Sequence, residues 1–398
     1  MGVSTTIDAT TVPTRAELVA RARALQPLLR EHAAKSDAER RASDAVIDAV
    51  TAAGFYRQLV PRRFGGYEAG VRTPLEISEV LGEADGPVAW LVSLGSNAGW
   101  LAAHFSEQAQ SEVYADGGNA RIAGSATPGR AQRVGGGLRV SGRWAYASGA
   151  PHATWAGVMA MLTDDSGQPS EGYWCLIPAS DLRMEDTWRT TGMRGTGSNT
   201  WVGEDIFVPD YRLLPVDAAS KEQVPTPADA PMYRLPFPTV ATLALLGPIL
   251  GCAAAALKYT LDKATKPMHH TIFTKQNESV GVQIQVAEAA LKIETARLHA
   301  YSVADQLENA AADDRQIDYD ERAKARAQCG YAAQQLIDAI NILVNVHGAG
   351  SFAESSPLQR YWRDANTAAR HAGLYEAVGY EVFGKSMLGI DEQISPMV

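Results

Sequence analysis

A histidine, His371, stands close behind Arg360, Arg363, Asp364 and Arg370 near the end of a 398-residue chain. An imidazole titrates near neutrality and is the natural proton donor or acceptor there. If Asp364 and His371 share a helix, the carboxylate is placed to orient or charge the ring. A lone histidine on a helix is more often an ordinary core or surface residue, so this pair needs a second feature beside it. Two others offer themselves. Ser148, in Ala147-Ser148-Gly149-Ala150, closes a strand-like run; a serine there is usually a turn residue, and does chemistry only with something flat and polar above it. Arg194-Gly195-Thr196-Gly197-Ser198-Asn199 begins like a dinucleotide-binding turn but runs into a strand, which argues against a Rossmann or P-loop site. It is a tight turn, and its freed N–H groups with the Thr196 and Ser198 hydroxyls can hold the polar edge of a ligand.

Other chemistries are set aside by what is missing. No H-E-x-x-H, G-x-S-x-G or EF-hand pattern occurs. His269 and His270 are adjacent and point apart, and Cys175, Cys252 and Cys329 are scattered with no C-x-x-C, so no metal site is expected. Three isolated thiols suit a reducing cytoplasm. The net charge of −9 is wrong for a nucleic-acid partner, which needs a basic face. The apolar run Phe237 to Leu257 carries Pro248 and many small residues without a snorkelling flank, and reads as a buried helix rather than a membrane span. Residues 1 to about 15 are polar and Thr-rich, with no apolar leader segment.

The elements that must position these residues change texture twice. From Thr14, Leu18, Ala22, Leu25, Leu28 and Leu29 recur at helical steps. A second helix is expected from the Ser36-Asp37 cap to Gly54, a third from Thr73-Pro74 with Ile77, Val80 and Leu81 buried, and an almost wholly apolar one over Pro87 to Ala103 before a short helix capped by Ser106. After Gly118 come short alternating runs separated by Gly135-Gly136-Gly137 and Asp164-Asp165-Ser166-Gly167, which predict an antiparallel unit closed as a small barrel. Residues 215–232 read as an exposed linker. Helices then return over Phe237 to Thr265, Val280 to about Ala311 with Ile284, Ala287, Leu291, Ile293 and Leu298 in register, Tyr319 to Val346, and a last pair from Pro357 onward to Phe383. The expected architecture is α+β: an N-terminal helical domain over 1–118, a β-barrel domain with linker over 119–232, and a C-terminal four-helix bundle over 233–398.

That order, with the stretches GFYRQLVPRRFGGYE, VSGRWAYASGAPHATW, TTGMRGTGSNTWVGEDIFVP and SPLQRYWRDANTAARH at its joints, resembles the acyl-CoA dehydrogenase fold. Within it the chain is similar to the oxygenase components of two-component (group D) flavin-dependent monooxygenases, such as the 4-hydroxyphenylacetate hydroxylase oxygenase and the flavin hydroxylase of steroid-ring degradation. The resemblance implies reduced flavin, FADH2 or FMNH2, lying against the β-domain, with O2 as co-substrate. It places Ser148 beside the flavin N5 and lines the same edge with Tyr146, Ala147 and Gly149. Ser125 and Thr127 border the ring from the neighbouring strand, and Thr196 and Ser198 belong to the family's Gly-Thr-Gly-Ser turn. Gly348 and Ala349 stand at the corner through which a second subunit touches the cofactor, which implies a homotetramer. His371 falls on the active-site histidine. The substrate pocket is expected to take Asn97, Trp100 and His371. Two departures stand out: Asn97-Ala98-Gly99 occupies the place of a second histidine, with His104 beyond it, and Lys266, His269 or His270 must replace arginines that contact the flavin phosphate.

The implied reaction uses flavin delivered by a separate reductase. Oxygen adds at the flavin C4a to give a hydroperoxide, kept dry by the site and by Ser148, and His371 moves a proton while oxygen is passed to a phenol, indole or polyketide-like aromatic of secondary metabolism. The same adduct oxidising nitrogen or sulfur is one alternative. An acyl-CoA dehydrogenase with Glu376 as base is another, and a helical scaffold that binds no flavin is a third.

Overall fold

The computed structural model describes residues 12–163, 169–217, 230–395 and 398. The Asp164–Gly167 turn and most of the expected linker lie outside these residues.

Helix α1 (Arg15–Glu39) opens with a reciprocal cap. Thr14 Oγ1 accepts from the Glu17 N–H, and the Glu17 carboxylate accepts from the Thr14 N–H. It runs through Pro27 and past Ser36-Asp37, which therefore do not start the second helix. The chain turns instead at Arg40, in the left-handed region at φ 58°, and α2 (Asp44–Ala52) follows. Asp37 is used otherwise: its carboxylate pairs with Arg363 and its carbonyl accepts from Arg194. Helices α3 (Arg72–Gly82), α4 (Gly86–Ala102) and α5 (Glu107–Val113) complete the first helical region. Ile77, Val80 and Leu81 are buried as the spacing predicts. The Ser106 hydroxyl accepts from the Ala109 N–H at 3.2 Å.

The sheet corrects the expected barrel. Its strands β1 (Ile122–Val134), β2 (Gly137–Ala147), β3 (Trp155–Thr163), β4 (Pro169–Pro178), β5 (Arg183–Glu185), β6 (Asn199–Pro209) and β7 (Leu213–Pro215) lie in the order β5-β6-β2-β1-β3-β4-β7. The edges β5 and β7 are not joined, so the sheet is open. It is also mixed, because β1 and β3 pair in parallel. Residues 122–134 form one long strand, β1, where the alternation predicts short ones. Trp144 is fully buried in the sheet's apolar interior, and its indole fills the space where side chains at Gly129 and Gly142 would stand.

The apolar stretch after residue 236 is broken into α6 (Phe237–Ala244) and α7 (Leu246–Asp262). By length and composition Phe237–Asp262 could cross a membrane, but 72% of its most apolar window is buried inside the molecule. There follow α8 (Val280–Ala312), α9 (Tyr319–His347), α10 (Pro357–Ala368) and α11 (Glu376–Met387). Helix α9 packs against α7, α8, α10 and α11. Helices α3 and α7 cross so closely that a Cβ on Gly251 would meet the Glu79 carbonyl at 2.2 Å. Apolar residues from α3, α4 and the C-terminal helices thus share one core. The register expected for α8 is only partly used. Ile293 is buried, whereas Ile284, Leu291 and Leu298 face outward; Val282, Ala289, Ala296, Ala300 and Val303 make the inner face instead.

Candidate active site

The site is built where β2 ends. The β2–β6 register slips between Trp144 and Ala147, leaving an extra residue in β2. This bulge throws Tyr146 into the left-handed region at φ 63°, a costly conformation for a bulky residue, and leaves its ring 70% exposed. Gly149 follows at φ 84°, and its N–H donates to the Thr196 carbonyl at 2.9 Å. The bulge thereby aims Ser148 away from the ladder and ties it to the 193–198 turn. Ser125 is buried on β1 and donates to the Ala145 carbonyl at 2.6 Å; its oxygen accepts from the Thr127 N–H at 3.3 Å, at the register shift of β1.

The turn itself is held from three sides. The Met193 N–H donates to Asp364 Oδ1 at 2.5 Å, Arg194 donates to the Asp37 carbonyl, and Arg363 donates to the Thr191 carbonyl. A Cβ at Gly192 would strike the Arg363 carbonyl at 2.0 Å, so this residue must be glycine. Within the turn Thr196 Oγ1 lies 2.8 Å from the Met193 carbonyl and 2.7 Å from Ser198 Oγ. Ser198 Oγ lies 2.8 Å from Ser148 Oγ, and Trp90 Nε1 donates to Ser148 Oγ at 3.1 Å. Trp90, on α4, also meets the His371 ring edge-on, with centroids 6.0 Å apart. The structure brings Ser148, Thr196, Ser198 and His371 together through Trp90, which spacing in the sequence does not single out.

His371 is not on a helix. It caps the single 3-10 turn Ala372–Leu374 between α10 and α11. Its Nδ1 accepts from the Gly373 N–H at 3.0 Å. A backbone amide can only donate, so Nδ1 is bare and the neutral ring carries its proton on Nε2. Asp364 does not orient this ring, contrary to expectation, because its carboxylate is spent on Met193 beneath the turn. The charge that acts on it is Arg326 of α9, which donates to the carbonyls of Ala372, at 2.7 Å, and of Gly373. The imidazole is open to solvent in the single chain yet recessed among protein groups. Lost hydration, and then the Arg326 charge, hold its pKa below the ordinary histidine value. Burial acts oppositely on two carboxyls below: Asp364 is pushed up to about 7, raised further by Asp85 and Asp37, and Asp85 is pushed up to about 6, raised further by Asp37.

The remaining expected residues divide. Asn97 is buried on α4 with its amide oxygen unpartnered among the described residues. Trp100 is a brace: fully buried, it donates to the Met232 carbonyl at 3.0 Å and stacks on Phe237. His104, one turn on, lies between the Trp100 and Tyr233 carbonyls. Glu376 is beside Tyr380 on α11. Gly348 and Ala349 follow α9, twenty-two residues beyond Arg326, roughly 33 Å along the helix axis. Lys266 donates to the His347 carbonyl and Gln276 to that of Val346, so the 266–276 loop lies at this glycine corner, not at Ser148. Among the described residues no metal-binding cluster occurs.

Trp188 stands edge-on to Tyr146, with centroids 6.2 Å apart, so the Ala147–Gly149 segment and the hydroxyls behind it lie among the rings of Trp90, Tyr146 and Trp188. Residues 16–117 match the acyl-CoA dehydrogenase N-terminal domain and residues 243–376 the acyl-CoA dehydrogenase C-terminal domain. The chain is 34% identical to the flavin-dependent monooxygenase, oxygenase subunit HsaA, of Rhodococcus jostii (strain RHA1), over 92% of this chain and 97% of the relative. It is 31% identical to the FADH(2)-dependent resorcinol hydroxylase, oxygenase component, of Rhizobium sp. (strain MTP-10005), over 94% of each. The solved structure of XiaF from Streptomyces sp. in complex with FADH2 and glycerol superposes with a TM-score of 0.90 at 35% identity, over 96% of this chain and 97% of that one. The chain belongs to the flavin-dependent monooxygenase oxygenase components built on the acyl-CoA dehydrogenase fold.

Proposed function

We propose that this protein takes up reduced flavin made by a separate reductase and uses it with O2 to hydroxylate a small aromatic molecule. The observation that carries the reading is the Ser148–Trp90–His371 cluster at the bulged end of β2. When bound there, reduced flavin supplies the two electrons that activate oxygen. The chain's own residues do the rest. Ala147 and Gly149 leave a flat floor, Ser148 holds the polar edge of the ring, and Trp90 and the apolar wall of α4 exclude water. Neutral His371 presents Nε2–H, which suits it to donate to a phenolic or carbonyl oxygen and fix the ring position attacked. The Asn97 amide oxygen is a second anchor for a substrate N–H or O–H. Ser125, Thr127 and Tyr146 complete the flavin edge, and Thr196 and Ser198 hold Ser148 from behind.

We further read the protein as a homotetramer in the cytoplasm, with the segments 1–118, 119–232 and 233–398 as its units and α7, α8, α9 and α11 as a four-helix bundle. Two facts support assembly. Tyr146 is bare at the mouth of the site, and the Gly348-Ala349 corner with Lys266, His269 and His270 is too far along α9 to serve the same site, so it serves a neighbour's.

Anaerobic titration with reduced FAD and reduced FMN, followed by 18O2 and a panel of phenols and indoles, tests the reading. Tight binding of a reduced flavin and one labelled oxygen atom in an aromatic product are expected. Reduction of bound oxidised flavin by an acyl-CoA, without labelled product, would replace the reading with a dehydrogenase. Label on nitrogen or sulfur alone would change the substrate class.

A further inference from the structure

The hydroxyl chain behind Ser148 has only one consistent arrangement of protons. Thr196 Oγ1 is 2.8 Å from the Met193 carbonyl. A carbonyl only accepts, so the single Thr196 proton points at it. With that proton committed, the 2.7 Å contact between Thr196 and Ser198 requires Ser198 to donate. The Ser198 proton is then spent, so the 2.8 Å contact with Ser148 requires Ser148 to donate. Trp90 Nε1–H, a donor only, occupies one lone pair of Ser148 Oγ at 3.1 Å. Every proton runs one way, from Trp90 through Ser148, Ser198 and Thr196 to the Met193 carbonyl. Thr196 and Ser198 are 1% and 4% exposed, so bulk water does not reset them. What Ser148 has left for a ligand is one lone pair and no proton.

We propose that this relay holds Ser148 as an acceptor only, and that the site thereby selects reduced over oxidised flavin. The inference rests on the flavin reading above, with the central-ring nitrogen N5 against Ser148. That nitrogen carries a hydrogen only in the reduced ring, and in the oxidised ring it is itself a bare acceptor. A reduced flavin meets the Ser148 lone pair with an N–H; an oxidised one meets it lone pair to lone pair. Turning Ser148 into a donor would reverse Ser198 and Thr196 as well, and set the Thr196 lone pairs against the Met193 carbonyl. The relay therefore favours capture of reduced flavin from solution and release of the oxidised product. Trp90, Ser198 and Thr196 are positioning residues in this scheme.

Dissociation constants for oxidised and for dithionite-reduced FAD and FMN, measured anaerobically by ultrafiltration, test it. The wild type is expected to favour the reduced form. Ser198→Ala frees the Ser148 proton to face the flavin, and should move the oxidised-to-reduced ratio toward the oxidised form by about tenfold, the worth of one neutral hydrogen bond. Thr196→Val, nearly isosteric, removes the end of the relay and should move the ratio the same way. Thr196→Ser keeps the hydroxyl and should keep the wild-type ratio. If Ser198→Ala and Thr196→Val retain the wild-type melting temperature and the wild-type ratio, the relay does not set the preference. If the wild type binds neither form of either flavin, the flavin reading itself fails, and the relay with it.

Discussion

At the scale of single residues, the site depends on groups whose charge and protons are set by neighbours that never touch a ligand. Arg326 is the clearest. It is 4% exposed, has no carboxylate partner among the described residues, and donates to the carbonyls of Ala372 and Gly373. Burial of an unpaired guanidinium is costly, and here it stations a positive charge beside His371. Protonating His371 would also cost the Gly373 contact, so activity should fall as pH drops through its depressed pKa. Arg326→Gln removes the charge and leaves the larger cause, desolvation, in place. The acid limb of the kcat profile should therefore move partway up toward the ordinary value of 6.5. Arg326→Lys should leave the limb where it is. An unmoved limb in Arg326→Gln, with His371 titrated directly by NMR, would show that Arg326 only holds the loop. Ser148, Thr196, Ser198 and His371 stand out in the sequence as residue types, from glycine-cut strands and an isolated imidazole, and their roles there rest on the resemblance alone. Trp90 and Arg326 do not stand out. A tryptophan in a helix apolar on every side reads as core, and an arginine in Arg322-Ala323-Lys324-Ala325-Arg326 reads as a solvated face. Only the packing of α4 on β2, and of α9 on the loop after α10, gives them their roles.

At the scale of elements, the turn carrying Thr196 and Ser198 is anchored by a carboxylate that pays for its position with pH sensitivity. Asp364 is fully buried under Met193, beside Asp85 and Cys252. Its pKa is raised from 3.8 to about 7 in the fold. Between those values the folded chain binds more protons than the unfolded one, so stability falls as pH rises through that window. Asp364→Asn keeps an oxygen for the Met193 N–H and removes the titration. It should flatten the slope of stability between about pH 4 and pH 7, and above that window should be more stable than the wild type by on the order of 1–3 kcal/mol. Urea unfolding at several pH values reads this directly. A variant with the wild-type slope would place the titration elsewhere, Asp85 first. The element boundaries were legible where caps announce them, as at Thr14 and Ser106. They were misread at Ser36-Asp37, where Asp37 is claimed instead by Arg194 and Arg363 from distant chain. The parallel pairing of β1 with β3 was also hidden, since alternation reveals a strand but not the direction of its neighbour.

At the scale of the whole molecule, one helix face has no partner among the described residues. Ile284, Leu291 and Leu298 recur every seven residues on α8 and are 62%, 69% and 62% exposed, with Val280 at the same end. The sequence reading took them for core from their spacing, and apolar spacing alone cannot tell an interior from a surface that another subunit will cover. On a helix of 33 residues, roughly 50 Å long, such a stripe offers a long seam. The glycine corner at Gly348 points the same way, since it is displaced along α9 from the cluster around His371. Replacing both Leu291 and Leu298 by Glu puts charges into that seam without touching the inner face of Ala289, Ile293 and Ala296. The double variant should keep wild-type helicity, run as a smaller species by light scattering at micromolar concentration, and bind reduced flavin at least tenfold more weakly, a loss of about 1.4 kcal/mol or more. Retention of the wild-type mass would move the interface to another face. A smaller species with undiminished flavin affinity would mean that each chain holds its cofactor alone, and that the Gly348 corner, with Lys266 and the two histidines beside it, serves no neighbouring site.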